Sequence, residues 1–240
     1  EVKAASICGT DIHIYEWDAW AQSRMQVPRI FGHEFAGVVV EVGHEVTSLV
    51  PGDFVAAETH ITCGECYQCR TGQGHICRNV KIIGVDRDGA FAQYIAIPAS
   101  VAWKTGKEIE HSVASIQEPF GNAVHTVYSG EIANQNVAVI GCGPIGLWAV
   151  GLCRISGAGQ IFAIEPNNKR LDIARNMGAN YTLNPRELDP VQAILDATDG
   201  LGVDVVLEMS GQPAAIRQGF QALRNGGRVS MLGIPSRMVE

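Results

Sequence analysis

The chain has 240 residues, 46% of them hydrophobic and 18% charged, and carries a formal net charge of −7. That length holds one large or two medium domains with a sizeable core, and the acidic balance argues against nucleic acid or an anionic membrane as partner. No apolar run reaches the ~18 residues of a membrane span, and the 7 cysteines, an odd number with four clustered, favour metal over a secreted disulfide framework.

The first residues read as mid-domain sequence without an initiating Met or a signal peptide, and the last run, RVSMLGIPSRMVE, stops just past a strand-like stretch. Both ends therefore read as cut, and a cytoplasmic location is expected. Up to about residue 130 the chain is rich in short β-like runs broken by Gly, Pro and Asp: FAGVVVEVG (35–43), DFVAAE (53–58) and AFAQYIAIP (90–98), with a turn at Pro51-Gly52-Asp53. This half reads as an all-β module. Ahead of its first run stand Cys8, in ICGTDIH, and His33 and Glu34, in FGHEFAG. Cysteine, histidine and carboxylate are the ligand types of an open catalytic zinc site. Taken alone, Cys8 reads as a buried core residue and His33 as a satisfied core histidine. Their glycine neighbours, the adjoining apolar runs and the cofactor signal further on favour the metal.

The next feature is an excursion, CGECYQCRTGQGHIC, with Cys63, Cys66, Cys69 and Cys77 spaced C-x2-C-x2-C-x7-C. Four thiolates this close suit tetrahedral zinc. The bacterial iron–sulfur run C-x2-C-x2-C-x3-C-P differs, because here the last gap is seven and Arg78 follows. A closed shell of four thiolates leaves no position for substrate, so this zinc is expected to be structural.

From about Asn134 strands alternate with helices, which implies a parallel, doubly wound sheet. NVAVIG (136–141) is a strand, Gly146 to Ser156 a helix and QIFAIE (160–165) a strand. NKRLDIARNMG (168–178) is a helix with Gly178 as a candidate for its C-terminal cap. YTLN (181–184), VDVVLEMSG (203–211) and RVSMLG (228–233) are strands, and PAAIRQGFQALRNGG (213–227) is a helix. About five strands fit, so the sheet is expected to be incomplete. Gly141-Cys142-Gly143-Pro144-Ile145-Gly146 is G-x-G-x-x-G between strand and helix. The first glycine allows the tight turn, the second lets backbone approach a pyrophosphate, and the third lets helix and strand pack closely. Glu165 ends the next strand about 20 residues on, where an acid can bond the ribose hydroxyls and favour NAD over NADP; Arg170 close by could instead welcome a 2′-phosphate. Cys142 and Cys153 read as small buried hydrophobes.

Cys-Gly-Thr-Asp, Gly-His-Glu, the four-cysteine excursion and the glycine fingerprint occur here in that order, and the chain resembles the zinc-dependent medium-chain alcohol dehydrogenases over nearly its whole length. GTDIHIYEWDAWAQ (9–22), QEPFGNAVHT (117–126), LEMSG (207–211) and MLGIP (231–235) resemble the bacterial and archaeal branch acting on L-threonine. The resemblance implies an α/β architecture of two partial domains: a GroES-like zinc-binding catalytic domain over 1–132 and a Rossmann NAD-binding domain over 133–240. It implies that Cys8, His33 and Glu34 hold a catalytic zinc, with Glu118 as an alternative or adjacent ligand. Thr10 would hydrogen-bond the substrate oxygen and His13 carry its proton outward. Cys63, Cys66, Cys69 and Cys77 would hold the structural zinc. Gly141, Gly143, Pro144, Ile145, Gly146, Glu165 and Arg170 would contact NAD, and Leu232, Gly233 and Ile234 would line the nicotinamide pocket. His60, in THITC, would face the substrate. The implied reaction is oxidation of the 3-hydroxyl of L-threonine by NAD, in a homo-oligomer, commonly a tetramer.

Two other readings stay open at this point. One is a polyol or butanediol dehydrogenase with the same machinery. The other is a non-catalytic NAD-binding protein that keeps zinc for structure. No motif in the sequence supplies groups for the amino and carboxylate ends of threonine.

Overall fold

The computed structural model describes residues 1–235 and divides into two units, Glu1–Pro119 and Phe120–Glu240. In unit 1, β1 (Val2–Ser6) leads into the helices α1 (Gly9–Glu16) and α2 (Ala19–Arg24), then β2 (Glu34–Val38) and β3 (Phe54–Ala57). The cysteine excursion lies between the two-residue strands β4 (His60–Ile61) and β5 (Lys81–Ile82), with a single helical turn, α3 (Tyr67–Arg70), inside it. β6 (Ala102–Lys104) completes a four-stranded sheet of order β1-β2-β3-β6, and α4 (His111–Ala114) and the start of α5 (Gln117–Val127) follow. The strand pairs of this sheet are antiparallel, and β1 pairs with β2 in the register Ser6↔Glu34. That pairing sets the end of β1 beside the start of β2, so Cys8 and His33-Glu34, far apart in sequence, arrive at one place.

Unit 1 departs from an all-β module. The segment after Cys8 is helical because Cys8 is extended and its N–H is accepted by Asp11 Oδ2 at 2.8 Å, closing the first turn. Asp18 then caps α2 by accepting from Ala21 N at 2.9 Å. AFAQYIAIP forms no strand. Ala90 N donates to Gly32 O and Phe91 N to Phe31 O, both in irregular chain, and the bond that Gln93 O accepts from Val2 N of β1 is not continued into a ladder.

Unit 2 holds β7 (Val137–Ile140), α6 (Pro144–Ile155), β8 (Ile161–Ile164), α7 (Asn168–Asn176), β9 (Tyr181–Leu183), α8 (Pro190–Ala197), β10 (Val203–Glu208), α9 (Pro213–Ala222) and β11 (Leu223–Met231). The five strands are parallel, in the order β11-β10-β7-β8-β9. The chain therefore winds outward from β7 twice, in opposite directions, and the order reverses between β7 and β10. Alternate strand residues feed two cores, as the strand period requires. Val137, Val139, Ile161, Ala163, Val205 and Leu207 pack with Ala149, Cys153 and Leu171 on one face. Ala138, Ile140, Phe162, Ile164 and Val206 pack with Ile194 and Ala222 on the other. Helices on both faces explain why the central β7 (VAVI) and β8 (IFAI) are apolar throughout.

The units divide earlier than the expected boundary at 132/133. Ala123 and Val127 of α5 are wholly buried in the core built on β7, so that helix goes with the second unit by packing. The expected helix over 213–227 ends at Ala222, and Leu223 already pairs with Val203 in a longer β11. Asn225, Gly226 and Gly227, read as a helix end, are taken into that strand. Helix α8, capped by Asp189, lies in a stretch to which no element was assigned from sequence. α7 ends as expected, with Gly178 at φ +112 just after it. Among the described residues no helix is long and apolar enough to cross a membrane.

Candidate functional site

Cys8, His33 and Glu34 offer ligand atoms that lie within 4.8 Å of one another. His33 and Glu34 are buried, and Ser6 Oγ donates to Glu34 Oε2 at 2.5 Å, which fixes that carboxylate. Burial pushes the Cys8 thiol up to about 11, and the nearby Glu34 and Glu118 carboxylates push the same way. A half-buried thiol beside carboxylates resists ionisation, and a divalent ion bound there would favour its thiolate. The donor set therefore fits zinc with an open fourth position.

Asp11 joins the candidate site, although its pattern in the sequence did not single it out. It is 3% exposed, and while its Oδ2 caps Cys8, its Oδ1 points at His33 Nδ1 from 3.7 Å. Both of those atoms are buried and lack a hydrogen-bond partner. Burial raises the Asp11 carboxyl above its ordinary range, while the Cys8 N–H and His33 oppose the rise. A carboxylate behind a ligating histidine orients the ring and leaves the far nitrogen, Nε2, for the metal. The signal available in sequence was the acid three residues after Cys8, a capping-box spacing.

Thr10 and His13 lie on one face of α1, three residues apart. Thr10 Oγ1 is 3.7 Å from Cys8 Sγ, which places a hydroxyl at the edge of the candidate metal site. His13 Nδ1 is 2.6 Å from Asp18 Oδ2, and Trp20 packs beside the ring at 6.2 Å between centroids. The half-buried imidazole thus keeps Nε2 available. Asp18, held below the ordinary carboxylate range by the Ala21 N–H and His13, serves both as the α2 cap and as the partner of His13.

Glu118, 9% exposed in the first turn of α5, does not join the Cys8–His33–Glu34 set. It forms a neighbouring set with Glu58 and His60, whose ligand atoms also lie within 4.8 Å of one another. His60 is tied to Glu58: its backbone N–H donates to Glu58 Oε1 at 2.7 Å and its Nδ1 meets the same oxygen at 2.6 Å. That hydrogen bond raises His60 above the ordinary histidine range, against burial and with help from Glu118.

The four cysteines of the excursion are all free thiols brought together. Sγ atoms of Cys66 and Cys69 lie 3.5 Å apart, Cys66 and Cys77 3.8 Å, and Cys63 and Cys77 3.5 Å. A zinc–sulfur bond of about 2.3 Å in a tetrahedron places sulfurs about 3.8 Å apart, so the cage has the dimensions of this ion. Backbone N–H groups point into it, from Cys66 to Cys63 Sγ at 3.4 Å and from Asn79 to Cys77 Sγ at 3.3 Å. The backbone N–H groups of Cys69 and Arg78 bring the Cys66 thiol down to about 6. Burial and the neighbouring sulfurs push Cys69 up to about 12.

In unit 2 the glycine turn lies at the carboxyl end of β7, beside the point where the strand order reverses, which is where this sheet type binds ligands. Gly141 has φ +90, a left-handed value that favours glycine. A Cβ on Gly146 would collide with Gly141 O and come within 3.0 Å of Gly141 C, so the third glycine brings helix against turn. A Cβ on Gly143 would meet nothing within 4 Å, which leaves open space at the N-terminus of α6 for a pyrophosphate. Pro144 occupies the first helical position and Ile145 packs against the core. Glu165 accepts from Cys142 N at 2.9 Å and Asn167 N at 3.1 Å, and Arg170 Nη1 lies 3.7 Å from its Oε1. Leu232, Gly233 and Ile234 follow β11, with Leu232 N and Gly233 N donating to Glu208 O. Cys142 and Cys153 are fully buried, and burial lifts both thiols to about 12.

Residues 1–107 match the family described as alcohol dehydrogenase GroES-like domain, and residues 144–240 match zinc-binding dehydrogenase. An L-threonine 3-dehydrogenase of Caldanaerobacter subterraneus subsp. tengcongensis is 55% identical over 239 residues, covering 100% of this chain and 69% of that protein. The Pyrococcus abyssi enzyme of the same name is 52% identical over 234 residues, covering 98% and 67%. Among solved structures, a zinc-binding dehydrogenase from Sinorhizobium meliloti bound to NADP superposes with a TM-score of 0.91 at 34% identity, over 100% of this chain and 70% of that one. An alcohol dehydrogenase from Thermus sp. ATN1 gives 0.89 at 32% identity, over 98% and 69%. The two family matches lie one in each unit and the relatives match along the whole chain, so this chain belongs to the zinc-dependent medium-chain alcohol dehydrogenase family.

Proposed function

We propose that this chain oxidises the 3-hydroxyl of L-threonine with NAD, giving 2-amino-3-oxobutanoate and NADH. The observation that carries the reading is the buried Cys8–His33–Glu34 cluster beside the Thr10 hydroxyl, in a chain that matches L-threonine 3-dehydrogenases along its whole length. Cys8, His33 and Glu34 would hold a zinc ion, with His33 oriented by Asp11, and Glu118 would be an exchangeable or adjacent ligand. Zinc bound there supplies the Lewis acidity that stabilises negative charge on the substrate oxygen. Thr10 hydrogen-bonds that oxygen and takes up its proton, and His13, one helical turn on, passes the proton outward with Nδ1 fixed by Asp18. NAD held by the glycine turn would supply the two-electron acceptor for the carbinol carbon, and the product of that oxidation is a β-keto acid prone to lose its carboxylate. Gly141, Gly143, Pro144, Ile145 and Gly146 receive the dinucleotide phosphates, Glu165 and Arg170 the adenosine ribose, and Leu232, Gly233 and Ile234 the nicotinamide. Cys63, Cys66, Cys69 and Cys77 would hold a second, structural zinc. Unoxidised thiolate ligands suit a reducing compartment, consistent with the cytoplasm, and the family's tetramer is the expected assembly.

The test is turnover of L-threonine, sorbitol and 2,3-butanediol with NAD on the zinc-loaded protein. Threonine is expected to be the preferred substrate, and turnover confined to the diols and polyols would sink the assignment.

A further inference from the structure

At the carboxyl edge of the unit 2 sheet, β10 ends in a buried carboxylate to which the chemistry above assigns no role. Glu208 is 1% exposed. Its Oε1 accepts from Ser210 N at 2.9 Å, Ser210 Oγ at 2.5 Å and Gly211 N at 3.0 Å, and its Oε2 accepts from Gly211 N at 3.2 Å. The donors are uncharged, so this is a turn wound around an anion. The backbone carbonyl of the same residue accepts from Leu232 N at 2.9 Å and Gly233 N at 3.1 Å. One residue thus grips two segments, the Ser210-Gly211 turn by its side chain and the start of Leu232–Ile234 by its backbone.

The two segments are also in close contact. A Cβ on Gly233 would stand 2.6 Å from Glu208 Oε2 and 2.7 Å from Gly211 Cα. A Cβ on Gly211, where φ is +64, would stand 2.8 Å from Ile234 C. On its other side the turn abuts the glycine fingerprint, since a Cβ on Gly141 would lie 3.0 Å from Ser210 Cβ. At such packing neither segment can shift without displacing the other.

We propose that Glu208 is a positioning residue for the nicotinamide half of the cofactor. It fixes the Ser210-Gly211 turn against Leu232–Ile234 and so sets where that segment meets the nicotinamide ring. The proposal rests on the reading that Leu232–Ile234 line the nicotinamide pocket. The adenosine and pyrophosphate end depends on Gly141, Gly143, Gly146 and Glu165; none of the Glu208 bonds given above reaches them, and of the four only Gly141 touches the turn it fixes.

Fluorescence and calorimetric titrations of NADH and of ADP-ribose, which lacks the nicotinamide, separate the two halves. Glu208→Met removes both acceptors and strands the buried Gly211 N–H and the half-buried Ser210 N–H, so NADH affinity is expected to fall about ten-fold or more while ADP-ribose affinity stays within about two-fold. Glu208→Gln retains an acceptor at Oε1 and should restore most of the NADH affinity. Should Glu208→Met fail to fold, Ser210→Ala removes one of the same bonds and is expected to weaken NADH by a smaller factor with ADP-ribose unchanged. Equal weakening of both ligands would show a merely structural role, and no change in either would show none; each overturns the proposal. Failure of ADP-ribose to bind the unsubstituted chain would overturn the dinucleotide placement itself, and the proposal with it.

Discussion

Asp11→Asn is the substitution that tests most directly how the open site is built. The asparagine carbonyl can still accept the Cys8 N–H that Asp11 Oδ2 accepts at 2.8 Å, so the α1 cap survives. What disappears is the negative charge 3.7 Å from His33 Nδ1. With Asp11 only 3% exposed, water does not replace it. Loss of such a partner lowers metal affinity about 10–100-fold, which is about 1.4–2.7 kcal/mol. The assay is chelator competition on protein loaded with both zinc ions. The more weakly held ion should leave Asp11→Asn at about 10–100-fold lower chelator activity, with release from the thiolate cage unchanged. Asp11→Ala should in addition lose about 0.5–2 kcal/mol of stability, because it also removes the cap. Identical release curves for Asp11→Asn and the unsubstituted chain would refute the role given to the carboxylate.

In the glycine turn, Gly143→Ala should fold normally but bind NADH weakly, because its Cβ would occupy only the space left for the pyrophosphate. Gly146→Ala should instead destabilise unit 2 by about 1–3 kcal/mol, since its Cβ collides with Gly141 O. Thermal melting with and without NADH distinguishes them, and equal melting temperatures for the two variants would contradict the geometry. The Glu58–His60 pair should give a pH signature. Hydrogen bonds from His60 hold Glu58 below its ordinary 4.5 despite burial, so its contribution is full above pH 4.5 and fades as pH falls through the lowered value. His60 is raised above 6.5, so its contribution is full below pH 6.5 and fades as pH rises through the raised value. The melting deficit of Glu58→Gln should therefore be greatest between pH 4.5 and 6.5 and close on both sides. The side chains are 34% and 44% exposed, which keeps the effect under about 1 kcal/mol. A deficit that is flat with pH would show that the pair does not carry charge.

The features legible in the sequence are those whose chemistry is local. Cys63, Cys66, Cys69 and Cys77 lie within one short excursion, so little chain entropy opposes their meeting, and the spacing itself names the ion. Gly141, Gly143 and Gly146 are read from a single turn, and its flanking apolar runs identify strand and helix. The 90–98 run failed as a strand because a strand is defined by its partner, and the neighbours that Ala90 and Phe91 bond are irregular. Helices α1 and α2 escaped notice because they are short and held by single side-chain caps, Asp11 and Asp18.

By itself the sequence determined the thiolate cage, the dinucleotide turn, the doubly wound second half and the ligand types Cys, His and Glu. That Cys8 meets His33 and Glu34 was implied only by family resemblance, and the antiparallel register Ser6↔Glu34 is what performs that meeting. Only the tertiary structure decided that Asp11 stands behind His33, that Glu118 sits with Glu58 and His60, and that Glu208 binds two segments at the sheet edge. The physical reason is the same in each case. A charge buried away from water must be matched by donors or an opposite charge within a few ångströms, and the partners that meet that need are chosen by the packing of distant segments, which composition and spacing do not encode.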